Sequence, residues 1–214
     1  MQGIFITIEG PDGAGKSSVI ETLVPILREE LVMDIVETRE PGGIAIAEEI
    51  RSLILDNKNS MMDDRTEALL YAAARRQHLV EKIMPALSAD KCVICDRFVD
   101  SSLAYQGKGR RIGIDEVATI NQFATEGVTP DLTLYLDIDP ETGMKRIHKN
   151  LNHFDRLENA GIDFHQRVRH GYLELVNKYP ERIVLIDAKQ SLDQVIDDCY
   201  AVIRERFARL FRNY

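Results

Sequence analysis

The eight residues Gly10-Pro11-Asp12-Gly13-Ala14-Gly15-Lys16-Ser17 fit G-x-x-x-x-G-K-[ST] at every fixed position. The spacing suits phosphate chemistry. Glycines let successive backbone N–H groups turn inward around a β-phosphate, Lys16 brings a point charge to the β/γ oxygens, and the Ser17 hydroxyl can bind Mg²⁺. At ordinary glycine usage, chance would produce this pattern in about one chain of this length in a hundred. The loop implies a nucleoside triphosphate and is silent on the reaction.

A second stretch, Cys95-Asp96-Arg97-Phe98-Val99-Asp100-Ser101-Ser102-Leu103-Ala104-Tyr105-Gln106, begins at the end of an apolar run. Asp96 can hold Mg²⁺ through water, and Arg97 can grip a phosphate with two N–H bonds. An Asp-Arg pair at a strand end is also a common structural salt bridge; the polar-aromatic run behind this one favours a ligand. The guanine-reading Asn-Lys-x-Asp of GTPases is absent. Motor ATPases place an acid directly after a second-strand Asp, whereas Arg97 and Ile138 follow Asp96 and Asp137 here. A phosphotransferase excludes water and needs no such acid.

These groups need a scaffold, and the chain's periodicity describes one. Apolar, β-branched runs recur at 4–8, 32–36, 92–95, 132–136 and 183–186, with amphipathic helical segments between them. That alternation predicts right-handed βαβ crossovers and a parallel sheet covered on both faces. Ligands then sit beyond the carboxyl ends of the strands, near Glu9, Arg39, Asp96, Asp137 and Asp187. A helix is predicted over 16–31, interrupted and kinked at Pro25. The polar, charge-dense segment 145–163 reads as a mobile lid on an otherwise single domain of 214 residues. Arginines recurring at helical spacing from Arg204 to Arg212 read as a solvated face.

With 27 Lys+Arg against 35 Asp+Glu, the net charge of −8 argues against a general affinity for nucleic acid or anionic membrane. No run reaches the roughly 18 apolar residues of a membrane span, and the N-terminus lacks a signal-peptide layout, so a cytoplasmic protein is expected. Cys92 and Cys95 form a C-x-x-C, but within a strand an offset of three points the thiols to opposite faces. Two core thiols are expected rather than a metal or redox pair.

The sequence resembles bacterial-type thymidylate kinases over nearly its whole length. The likeness is carried by IEGPDGAGKSS, TREPGG (38–43), EALLYAAARRQHL (67–79), DRFVDSSLAYQG (96–107), PDLTLYLDI (130–138) and DRLE (155–158). The resemblance implies a P-loop NTPase-type three-layer sandwich with a five-stranded parallel sheet, a homodimer, ATP and Mg²⁺ as donor and metal, and dTMP as acceptor. It extends the phosphate loop to Ser18 and lets Asp12 bind the acceptor's 3′-hydroxyl or order the metal. Arg39 and Pro41 border the acceptor pocket, and Arg51 and Arg97 take its monophosphate. Tyr71, where many relatives carry Phe, stacks on thymine, and Arg75 on the same helix face bonds its O4. Ser102 and Gln106 read the thymine edge, and Tyr105 crowds the 2′ position against ribonucleotides.

Such kinases draw a catalytic arginine from the phosphate loop or the lid. Positions 11–14 carry none, so the lid is expected to supply it. Asn152 stands about where some relatives have arginine, leaving Arg146, Lys149 and Arg156 with His148 and His153. Arg156 fits the family best and Lys149 accompanies it; Arg156→Ala is expected to lower kcat at least tenfold with the fold intact. A kinase for another nucleoside or monophosphate remains open at this point, as does a nucleotide-dependent regulatory ATPase.

Overall fold

A computed structural model describes residues 3–150 and 155–212, with only the helical backbone of 148–150. Five parallel strands stand in the order β2-β3-β1-β4-β5: β1 (Ile4–Glu9), β2 (Ile35–Arg39), β3 (Cys92–Asp96), β4 (Leu132–Asp137) and β5 (Ile183–Asp187). β1 is buried at every residue, as its unbroken apolar run requires of a central strand covered on both faces. Helices α1 (Lys16–Glu30) and α9 (Leu192–Arg206) cover one face, packing Val19, Leu23 and Cys199 on Ile6, Ile94 and Cys92. On the other face Cys95 joins Phe5, Leu79 and Phe98. The two thiols of the C-x-x-C thus lie on opposite sides of the sheet, both buried.

The remaining helices are α2 (Ala45–Leu55), α3 (Asp64–His78), α4 (Met84–Ser88), α5 (Val99–Ser102), α6 (Ile114–Thr125), α7 (Pro140–Asn150) and α8 (Ile162–Lys178). They flank the sheet, and several of them shape the rim of its carboxyl edge; α4, the short helix before β3, lies instead at the amino edge, where Leu87 meets Gly3. A π-helical turn, Leu103–Gly109, continues α5, and its widened backbone carries Tyr105 and Gln106. Register pairs Ile8 with Asp96, Asp96 with Arg39, and Asp137 with Asp187, so the polar strand ends collect along one edge.

Three elements differ from expectation. β2 begins at Ile35, three residues late, because Leu31 bridges Phe211 and the Val32 N–H donates to the Leu210 carbonyl at 2.9 Å. That segment is spent joining the C-terminus rather than the sheet. α1 runs unbroken through Pro25, which sits on its exposed face, where water can serve the Glu21 carbonyl that proline leaves without a donor. In the segment 145–163, α7 continues to Asn150, so its first six residues are helical. The four arginines from Arg204 to Arg212 are exposed.

Candidate active site

The phosphate loop follows β1 directly. Gly15 caps α1 with φ 91°, a left-handed conformation that favours glycine, and no side chain or acidic first-turn residue answers the first N–H groups of the helix. Those donors remain for an anion. A Cβ at Gly13 would stand 2.1 Å from the Gly143 carbonyl oxygen, and one at Gly143 would stand 2.5 Å from that of Asp12. Only paired glycines let α7 lie this close to the loop. Lys16 Nζ donates to the Gly10 and Pro11 carbonyls at 3.1 and 3.0 Å, and burial, with Arg97 nearby, lowers its pKa to about 8.

Arg97 takes a left-handed backbone, φ 69°, uncommon for a side chain of this size. Its Nη2 donates to Asp12 Oδ1 at 2.6 Å and its Nη1 to the Gly10 carbonyl at 2.9 Å, while Tyr105 donates its hydroxyl to Asp12 Oδ2 at 2.8 Å. Burial pushes the Asp12 carboxyl up, but Arg97 and Lys16 more than offset this and hold it below the usual range. Both Asp12 oxygens are therefore already engaged.

Behind Arg97 lies Glu9, fully buried, accepting from the Phe98 N–H at 2.7 Å and from the Tyr172 hydroxyl at 2.8 Å. Burial, with Asp100 nearby, pushes its carboxyl up from 4.5 to about 7 despite Arg97. The folded state therefore holds a proton that the unfolded state has released, and this group's contribution to stability falls as pH rises from about 4.5 to 7. Glu9→Gln keeps the shape without the titration. It should gain roughly 3 kcal/mol over the native chain by pH 8 relative to its standing below pH 4.5. Tm curves of both proteins against pH test this; a difference that stays flat across the window would count against it.

The phosphate loop and the residues expected to read a base open into one cleft of about 830 Å³. Its loop end is lined by Asp12 through Ser18 with Asp96, Arg97 and Tyr105, and the rest by Pro41, Arg51, Tyr71 and Arg75 with Ser102 and Gln106. Arg51 is fixed by a 3.0 Å bond to the Pro41 carbonyl. Arg75 is 2% exposed and held from four sides: Nε to Glu40 Oε2 at 2.7 Å, Nη1 to Ser102 Oγ at 3.0 Å and to Asn121 Oδ1, and Nη2 to the Phe98 carbonyl at 2.9 Å. Those bonds use four of its five N–H groups. Glu40 is itself held by His78 Nδ1 at 2.9 Å, whose Nε2 meets Thr38 Oγ1 at 2.6 Å. Burial keeps the Tyr71 phenol protonated far above its ordinary value.

Other expected residues lie elsewhere. Gly10 and Pro11 present carbonyls to Lys16 instead of lining the cleft. Arg39 pairs with Glu48 at 2.7 Å and lines an adjoining hollow, which Ser17 and Asp96 also border. Arg156 does not line the cleft. Its Nε donates to the Ile54 carbonyl at 2.8 Å and its Nη2 to the fully buried Glu67. Among the described lid cations Arg146 is the one on the cleft wall; the Lys149 side chain lies outside the described residues. Sequence reasoning missed Glu40, Asn121, Tyr172 and Glu67, whose partners are remote in the chain, and Gln190 on the cleft wall. Only Glu40 and Glu67 had a signal, lying inside stretches that carry the resemblance.

The two placements lead to different expected outcomes for the two arginines. Arg156→Ala would remove one partner of a buried carboxylate, costing about 3 kcal/mol and lowering Tm by about 6–12 °C. Arg146→Ala should leave Tm within about 2 °C and lower kcat about tenfold or more. Thermal melts beside single-turnover rates distinguish them, and the reverse pattern would overturn the assignment.

A sequence model of the family described as thymidylate kinase matches residues 8–199. The thymidylate kinase of Enterococcus faecalis is 62% identical over 212 residues, covering 99% of this chain and 100% of that protein. That of Latilactobacillus sakei is 59% identical, covering 99% of each. Among solved structures, the thymidylate kinase of Ehrlichia chaffeensis superposes with a TM-score of 0.78 at 32% identity, covering 95% of this chain and all of that one.

Proposed function

The chain belongs to the thymidylate kinase family, and on that premise we infer that it transfers the γ-phosphoryl group of ATP to dTMP, giving dTDP and ADP. The observation that carries this reading is the single cleft. An anion-ready helix N-terminus with Lys16 stands at one end, and Tyr71, Arg75 and Gln106 stand at the other. Lys16 would leave the Gly10 and Pro11 carbonyls for donor phosphate oxygens, and Arg97, fixed between loop and cleft, would hold the acceptor phosphate in line. Arg51 takes the same phosphate, Pro41 borders the acceptor pocket, Tyr71 stacks on the base, and Tyr105 narrows the sugar site. Arg146 is the lid cation we assign to the transferring group. Arg156 could reach it only by breaking its contacts to Ile54 and Glu67.

The residues present suit Mg²⁺. Asp96 Oδ1 is buried with no hydrogen-bond partner among the described residues, and Asp96 and Ser17 border the same cleft. Bound there, Mg²⁺ would neutralise charge on the β- and γ-phosphate oxygens. A cytoplasmic location is part of this reading; no described helix is long and apolar enough to cross a membrane. A homodimer fits the family, and the exposed Met61 and Phe123 offer apolar surface for one; sedimentation equilibrium tests it.

ADP release with dTMP, dUMP, dCMP, UMP, thymidine and no acceptor tests the reading. We expect dTMP to be the best acceptor. Preference for UMP or thymidine would overturn the acceptor, and equal turnover without acceptor would make the chain an ATPase.

A further inference from the structure

We propose that Glu67 is a positioning residue for base selection, holding the Gln106 side chain so that its amide oxygen faces the cleft. The inference rests on dTMP being the acceptor. Glu67 lies on α3 and is fully buried. Its Oε1 accepts from Gln106 Nε2 at 2.8 Å and from Arg110 Nε at 3.3 Å. Its Oε2 accepts from Arg110 Nη2 at 3.0 Å and from Arg156 Nη2. A carboxylate clamped by two guanidiniums accepts and does not donate, so Gln106 can meet it only through its nitrogen. The planar amide then turns its oxygen the other way. Gln106 lines the cleft while only 1% exposed, so the bond to Glu67 decides which end of its near-isosteric amide faces the cleft.

This fixes a pattern. Arg75 supplies donors only, and Gln106 as held supplies an acceptor to the same cleft. Thymine presents the complement, an accepting O4 next to a donating N3–H. Cytosine presents the reverse, a donating N4 amine next to an accepting N3. A site whose buried donors and acceptors are preset rejects the mismatched edge because its own groups would be left unpaired. Uracil carries the same edge as thymine, so this device selects against cytosine and not against uracil.

Glu67→Gln makes the test sharp. The one remaining oxygen stays with Arg110 and Arg156, the new amide nitrogen faces Gln106, and Gln106 must turn its oxygen inward and its nitrogen to the cleft. We expect the kcat/KM ratio of dTMP over dCMP to fall about tenfold or more, mainly through a raised KM for dTMP with kcat within about threefold. Arg110→Lys should lower Tm yet leave that ratio within about twofold. A ratio unchanged in Glu67→Gln would overturn the inference and leave Glu67 a purely structural anchor. Failure of the native enzyme to use dTMP would instead overturn the acceptor reading. Should Glu67→Gln not fold, exchange of the Gln106 side-chain amide in the native, nucleotide-free protein decides the matter by NMR. Slow exchange of one Nε2 hydrogen is expected, and exchange at the free-glutamine rate would sink the proposal.

Discussion

Replacing Lys16 by methionine is expected to lower kcat about 10³-fold, equivalent to about 4 kcal/mol of transition-state stabilisation, while dTMP affinity stays within about threefold of native. Methionine approximates the length of lysine without its charge, so the substitution isolates electrostatics from packing at a site only 8% exposed. The ammonium donates to the Gly10 and Pro11 carbonyls, and burial weakens its hold on the proton. Charge kept in a dry, preorganised site acts strongly on the charge that develops during transfer. The variant's Tm should not fall, because the desolvation of a buried cation disappears together with its two hydrogen bonds. Single-turnover rates, dTMP titration and thermal melts cover the three expectations. A kcat loss below tenfold would show that Arg97, Arg146 or the helix N-terminus carries the donor charge instead.

Arg97→Lys is expected to lower kcat/KM for dTMP about 100-fold although the charge is retained. The guanidinium bonds the loop carbonyl of Gly10 and the carboxylate of Asp12 at once, with the Ser101, Tyr105 and Tyr172 hydroxyls within 3.3 Å. A lysine has three donors on a flexible stem and cannot satisfy this planar array while also forking onto a phosphate. The loss should appear in kcat as well as KM, because a misplaced acceptor phosphate misaligns the reacting atoms. A ratio within about threefold of native would mean that Arg97 props up the loop and does not touch the acceptor.

How far the sequence discloses the site follows from how local each interaction is. The phosphate loop was legible because its chemistry lies within eight consecutive residues and its glycines answer a backbone demand at one turn. The strands were legible where burial on both faces made them uniformly apolar. β2 was misplaced because Leu31 and Met33 are equally apolar for another reason, packing in the core beside Leu210, while Val32 between them is half exposed. Pro25 marks a helix interruption only if its missing bond is felt, and on an exposed face it is not. Arg75 could be named from the family pattern, but its four-sided clamp could not, since Glu40, Phe98, Ser102 and Asn121 come from separate segments. Arg156 shows the limit most plainly. DRLE marks it as important without saying that its partner is Glu67, 89 residues away.

The backbone-to-backbone contact of Gly13 with Gly143 bears on how the cleft can shut. With no Cβ on either side, α7 has a fulcrum on the phosphate loop itself. Arg146 is three residues beyond that point, about 4.5 Å along the axis, and Asn150 is about 10.5 Å along. A 10° swing about the contact would move the helix axis at Arg146 by under about 1 Å and at Asn150 by about 2 Å. The base of that side chain therefore stands near the pivot, where displacement is small, and the outer end of the helix takes up the travel. A lever mounted this way can sweep open for exchange of nucleotides and still return its charge to the same place.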